Sequence, residues 1–152
     1  MTMKKVESTR VISYSCRVNL IGLQPLVGVI PQQIEQVAKE QGFEISGKQI
    51  WAYDGCDGNP ETPFDLKICL PIKATNKPLN HDTFKIETLD AMEVKTAIHK
   101  GEWKEIGAVY CTLMNELTSN NLRFTGKTRE IYEVVDFQNP NNCITEIQVE
   151  CV

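Results

Sequence analysis

The pattern of hydrophobic and polar positions divides the chain into six strand-like stretches and two helical ones. The strand-like stretches are rich in β-branched, aromatic and aliphatic residues. In chain order they are "TRVISYSCRVNLIG", "GKQIWAYD", "FDLKICLPI", "LDAMEVKTAIHKG", "GKTREIYEVVD" and "CITEIQVECV". The helical stretches are "PQQIEQVAKEQG" and "EWKEIGAVYCTLMNELTSNN", which place apolar residues three and four positions apart.

Both helical stretches have one apolar face. The first begins near Pro31, which suits a first helical turn, and ends at Gly42, with residues 25–30 as an irregular lead-in. Its apolar positions are Ile34, Val37 and Ala38. The second is longer, and its apolar stripe is Ile106, Tyr110, Leu113 and Leu117. The sequence therefore predicts two amphipathic helices that each pack on a sheet.

The chain resembles itself when it is shifted by 79 positions. The matched pairs are Gly22 with Gly101, Gly47 with Gly126, Lys48 with Lys127, Tyr53 with Tyr132, Ile68 with Ile147, and Leu70 with Val149. Glycines at turns and aromatic residues in strands recur at one offset without a gap. This register indicates an internal duplication.

The duplication predicts a β-α-β-β unit that occurs twice. Two helices can cover only one face of a shared antiparallel sheet, so the fold class is α+β with pseudo-twofold symmetry. We expect an N-terminal tail over residues 1–10 and a single domain over residues 11–152. Within the domain, the repeats are residues 11–72 and 84–152, and a polar connector covers residues 73–83. The seam between the repeats is a natural concave site.

The strand "GKTREIYEVVD" carries a carboxylate on the face that should point inward. Its inward face consists of Thr128, Glu130, Tyr132 and Val134, and its other face of Arg129, Ile131, Glu133 and Val135, which resembles a partly wetted surface. The repeat partner of Glu130 is Trp51, so the position faces inward in both copies. A buried carboxylate needs a hydrogen-bond donor, a cation, water or a proton. Alternatively, Glu130 is solvated, or forms a salt bridge with Lys127 or Lys104.

Aromatic residues provide the other candidates for a ligand site. They are Tyr132 and its repeat partner Tyr53, the only two tryptophans, Trp51 and Trp103, and Tyr110 on the second helix. A ring face beside a carboxylate suits an organic cation, because cation–π contact is attractive. Core packing is the alternative for each ring: it is favoured for Tyr53 and Tyr110, a place in the pocket is favoured for Trp103, and both interpretations stay open for Trp51 and Tyr132.

Composition and charge exclude several classes of function. The net charge of -4 is distributed along the chain, which argues against nucleic acid binding. The six cysteines include no C-x-x-C pair, so no metal site is predicted. No apolar run spans a membrane and the N-terminus lacks a signal peptide, so we expect a cytoplasmic protein with free thiols. No phosphate-binding or dinucleotide motif is present, and no cofactor is expected.

The order of these motifs resembles the GyrI-like small-molecule-binding family. The resemblance rests on "HKGEW" before the second helix, "GKTREIYEV" after it and "DLKICLPI" at the end of the first unit, and it covers about residues 11–152. It implies the effector-binding fold of bacterial multidrug-responsive transcription activators. It also implies that Glu130 and Tyr132 face a cleft for lipophilic cations, with Trp103 at a usual aromatic position. The helix-turn-helix of the activators is not found here, so we expect a stand-alone member without direct DNA binding.

Three functions are compatible with these features. The first is binding of a small, partly apolar, cationic or neutral molecule for sensing, sequestration or resistance. The second is hydrolysis of a reactive electrophile, with Glu130 as general base or acid and Tyr132 polarising the departing group. The third, based on family analogy alone, is inhibition of a topoisomerase-like protein.

Overall fold

The computed structural model describes residues 3–152, which form eight strands and three α-helices. The strands are β1 Met3–Val6, β2 Thr9–Val18, β3 Ile50–Asp54, β4 Phe64–Pro71, β5 Lys85–Leu89, β6 Met92–Lys100, β7 Phe124–Val134 and β8 Ile144–Cys151. The helices are α1 Gln24–Val27, α2 Ile30–Glu40 and α3 Ile106–Ser119. The expected irregular lead-in to α2 instead contains α1. Pro31 lies in the first turn of α2, and Gly42 follows the helix at a left-handed φ of 78°.

All strands form one antiparallel sheet in the order β1-β6-β8-β7-β3-β4-β2-β5. The strands β2, β3 and β4 of the first repeat correspond to β6, β7 and β8 of the second. Equivalent strands of the two repeats therefore lie at equal distances from the centre of the sheet. The helices repeat in the same way: Ile34 and Ala38 of α2 are buried, as are their counterparts Leu113 and Leu117 of α3. The predicted α+β fold with duplicated β-α-β-β units is therefore confirmed.

The gap-free register of the duplication is wrong for the first strand of each unit. In the first repeat, Ile12 of β2 pairs with Leu70 of β4. The residues 79 positions later are Ala91 and Val149, so an unbroken offset predicts that these two pair in the second repeat. Val149 instead pairs with Lys95, four positions further along. The first repeat carries additional residues before α2, where the four-residue helix α1 lies. The offset of 79 holds from α2 onwards, and the expected match of Gly22 with Gly101 is lost.

Two edge strands were not predicted. β1 lies within the expected N-terminal tail and pairs with β6 of the second repeat, whereas β5 pairs with β2 of the first repeat. The segment before the first repeat thus adds an edge strand to the second repeat, and the second repeat adds one to the first. The polar composition of these short strands explains the miss, since an edge strand buries little surface.

The two main helices pack on one face of the sheet and leave its centre uncovered. α2 contacts β2 and β4, and α3 contacts β6. The central strands β3 and β7 pair with each other between the two helices.

The opposite face of the sheet is less exposed to solvent than the sequence predicts. Arg129 on this face is only 8% exposed and donates a 2.8 Å hydrogen bond to the carbonyl oxygen of Asp90. All six cysteines are free.

Candidate functional site

Six side chains from two paired segments form the floor of a cleft between α2 and α3. They lie as three cross-strand pairs: Tyr53 with Thr128, Trp51 with Glu130, and Gln49 with Tyr132. All six line the cleft, whose volume is 1870 Å³. Because side chains alternate along a strand, every second residue of β3 and β7 points to this face. The sequence pattern itself therefore places these residues together.

Glu130 lies at the centre of the floor and is held by three tyrosine hydroxyls. Tyr110 of α3 donates to Oε2 over 2.5 Å, and Tyr132 donates to Oε1 over 2.8 Å. The Tyr53 hydroxyl lies 3.5 Å from Oε1 and 3.5 Å from the Tyr132 hydroxyl. Glu130 itself is 8% exposed. The carboxylate is thus buried but supplied with donors, which offsets part of its desolvation.

No lysine or arginine among residues 3–152 forms an ion pair with Glu130. Of the two lysines considered as partners, Lys104 pairs with Glu102 over 2.8 Å. Burial raises the pKa of Glu130, while the tyrosine hydrogen bonds and the nearby His99 act to lower it. The pKa values of Tyr53, Tyr110 and Tyr132 are raised well above the ordinary value, chiefly by burial and then by the charge of Glu130. The tyrosines therefore remain hydroxyl donors at neutral pH.

Aromatic rings surround the carboxylate. Trp51 and Trp103 each pack edge-on against Tyr132, with ring centroids 5.7 and 5.9 Å apart. The Trp103 indole N–H donates to the Thr145 hydroxyl over 3.1 Å, which fixes the ring. Phe137 packs against Trp103 at 5.9 Å and is 58% exposed, so the apolar wall extends towards the solvent.

All the candidate residues from the sequence line this one cleft: Trp51, Tyr53, Trp103, Tyr110, Glu130 and Tyr132. Tyr110, for which core packing was favoured, does pack against the core around Leu113 and Leu117, and its hydroxyl also reaches Glu130. Sequence reasoning did not single out Gln49 as a site residue. The two-residue period from Trp51 could have identified it, because the same period links all the floor residues.

The charged residues that line the cleft are mainly acidic. The acidic ones are Glu35, Asp57, Glu130 and Glu133, and the basic ones are Lys48 and Lys104. Such a balance favours cations over anions. Within residues 3–152, no cluster of histidine, cysteine and acidic side chains is arranged to hold a metal ion. In the same residues, every helix is too short or too polar for a membrane span.

A family model described as a GyrI-like small molecule binding domain matches residues 1–151. A search of curated protein sequences found no match.

Solved structures share the fold at low sequence identity. The C-terminal domain of EcmrR superposes with a TM-score of 0.79 at 20% identity, covering 99% of this chain and 96% of that one. In the EcmrR–DNA complex the TM-score is 0.82 at 21% identity, and the match covers 99% of this chain and 56% of EcmrR. SAV2435 bound to tetraphenylphosphonium gives 0.64 at 12% identity, covering 99% and 93%. A hydrolase from Listeria innocua gives 0.67 at 12% identity, covering 99% and 92%.

Proposed function

We propose that this chain, which belongs to the GyrI-like small molecule binding domain family, binds a lipophilic organic cation in the cleft between its repeats. The cation lies over Glu130, and its apolar groups contact the surrounding aromatic rings. A neutral, partly apolar molecule is the weaker class of ligand, because it gains the apolar contacts without the charge interaction.

One observation carries the proposal: Glu130 is a buried carboxylate that forms no ion pair with a lysine or arginine among residues 3–152. Three tyrosine hydroxyls hydrogen-bond it but leave its negative charge uncompensated. In a site of low dielectric constant, an organic cation interacts with such a charge more strongly than it does in water. The ligand would also contact Trp51 and Trp103, since cation–π contacts strengthen when the cation is desolvated.

The size of the cleft fits a bulky ligand. Its 1870 Å³ exceeds the roughly 300–1,000 Å³ of ordinary small-molecule sites. The similar protein SAV2435 was solved with tetraphenylphosphonium, a bulky cation with four aromatic rings. Tetraphenylphosphonium is therefore the first probe to test on this chain.

The biological role that we propose is sensing, sequestration or resistance to such compounds. EcmrR was solved with DNA, and this chain spans 56% of EcmrR in that complex. The similarity covers 96% of the EcmrR C-terminal domain, so the shared part is that domain. We assign the ligand-binding step to this chain and no DNA-binding step.

The proposal is tested by two probes of the same shape and opposite charge. Tetraphenylphosphonium and tetraphenylborate each carry four phenyl groups around a central atom. The only tryptophans, Trp51 and Trp103, both line the cleft, so their emission reports its occupancy. We expect saturable quenching by the phosphonium and at least about tenfold weaker binding of the borate. Equal affinity for both probes, or conversion of the phosphonium to a product, would contradict the proposal.

A further inference from the structure

The contact between the cleft floor and the adjacent helix differs between the two repeats. In the second repeat, Thr128 lies on the floor, and Tyr110 of α3 extends its hydroxyl over the floor to the neighbouring Glu130. The corresponding residues of the first repeat, 79 positions earlier, are Gln49 and Pro31. There the Gln49 amide nitrogen donates to the Pro31 carbonyl oxygen over 3.3 Å. Proline has no hydroxyl to extend over the floor, so the two halves of the cleft are chemically unequal.

This inequality leaves one polar atom of the floor without a partner. The Gln49 carbonyl oxygen, Oε1, is buried and accepts no hydrogen bond from any group of residues 3–152. The amide orientation follows from the bond to Pro31, which requires the nitrogen on that side. A buried acceptor without a donor is costly, and a ligand that supplies a donor recovers this cost.

The Gln49 side chain can present this oxygen to the cleft. Its bond to Pro31 is long at 3.3 Å, and the terminal amide torsion of glutamine has a broad energy profile. The residue is itself half-buried and lines the cleft beside Tyr132. Rotation about this torsion, with loss of the bond to Pro31, would turn Oε1 towards the cleft without movement of the strand.

We propose that Gln49 determines ligand specificity by accepting a hydrogen bond from an N–H or O–H group of the bound cation. The inference rests on the proposed function. It adds a directional hydrogen bond from the ligand to Gln49, in the first repeat, to the charge interaction with Glu130 in the second. The preferred ligand is then an aromatic cation with a donor group at its periphery, rather than a fully alkylated cation.

The test uses two flat dyes that are cations at neutral pH, thionin and methylene blue. Thionin carries two free amino groups on a phenothiazinium ring, and methylene blue carries the same groups fully methylated, without N–H donors. Affinities are measured for the wild type, for Gln49→Met, which removes the acceptor at similar length, and for Gln49→Glu, which keeps an acceptor. The readout is the ratio of the two affinities, because a general change in cleft charge or fold affects both dyes.

We expect Gln49→Met to weaken thionin binding by about 5- to 10-fold, as one net hydrogen bond contributes, and to leave methylene blue binding unchanged. Gln49→Glu should retain the preference for thionin. Equal weakening of both dyes, or no change in either, in Gln49→Met would overturn the inference alone. Failure of both dyes and of tetraphenylphosphonium to bind the wild type would overturn it together with the proposed function.

Discussion

Trp51 and Glu130 lie directly opposite each other on β3 and β7, and they occupy the same position of the two repeats. No other pair in this strand ladder joins repeat-related residues, so the pseudo-twofold axis passes between these two. The duplication thus places an apolar ring and an acid at the centre of one cleft. A ligand at this point contacts chemically different halves of a symmetric scaffold.

The hydrogen bond from Tyr110 should control the acidity of Glu130. Tyr110→Phe removes the 2.5 Å donation from α3, and this hydrogen bond acts to lower the carboxyl pKa. We expect the pKa of Glu130 to rise and the free energy of unfolding to fall by about 0.5–1.5 kcal/mol. Carbon-13 NMR of the labelled carboxyl and urea unfolding measure the two effects.

Tyr14→Phe is the matched control for this substitution. Tyr14 is half-buried and packs against Phe84, outside the cleft. It should leave the Glu130 titration unchanged. A Glu130 titration that is the same in Tyr110→Phe as in the wild type would show that the bond to Tyr110 has no electrostatic effect.

Cation binding should depend on pH through Glu130. Burial raises the pKa of this carboxyl above its ordinary value of 4.5, and only the ionised form attracts a cation. We therefore expect tetraphenylphosphonium affinity to decrease as the pH falls through the raised pKa. Glu130→Gln should remove this dependence, and a wild-type affinity that is constant down to pH 4 would exclude an ionised Glu130 as the partner.

Protein stability should also depend on the protonation of Glu130, but the contribution of this group to stability should increase as the pH falls, whereas cation affinity decreases. Because its pKa is raised, folded Glu130 holds a proton above pH 4.5, where the unfolded chain has released it. The resulting stabilisation is fully present below pH 4.5 and is lost as the pH rises through the folded-state pKa. In urea unfolding, the free energy of unfolding of the wild type should fall relative to that of Glu130→Gln as the pH rises through this range. All other titrating groups are the same in the two proteins, so the difference reports Glu130. A constant difference between the two proteins would refute this assignment.

Much of the site could be predicted from the sequence because the duplication constrains it. The inward direction of Glu130 followed from its match with Trp51, and the strand period then placed Tyr53 and Tyr132 on the same face. The gap-free register succeeded here because α2, β3 and β4 have the same spacing as α3, β7 and β8. It failed at β2 because the four residues of α1 shift the earlier strand, and a loop insertion leaves no periodic signal.

Other features depend on tertiary contacts that the pattern does not encode. Tyr110 lies on the apolar stripe of α3, so periodicity alone assigned it to the core, although its hydroxyl reaches Glu130. Arg129 alternates with apolar residues as a solvated side chain would, yet the carbonyl of Asp90 accepts its hydrogen bond in a buried position. Gln49 precedes β3 and looks like an ordinary polar residue until its unpaired carbonyl is seen.

The central claim is that the Glu130 charge binds an organic cation, and calorimetric titration of tetraphenylphosphonium into three proteins tests it most directly. These are the wild type, Glu130→Gln and the control Glu93→Gln, whose glutamate is exposed on β6 outside the cleft. We predict that Glu130→Gln weakens binding by at least about tenfold at neutral pH, whereas Glu93→Gln has no effect. Equal affinity of Glu130→Gln and the wild type would contradict the account.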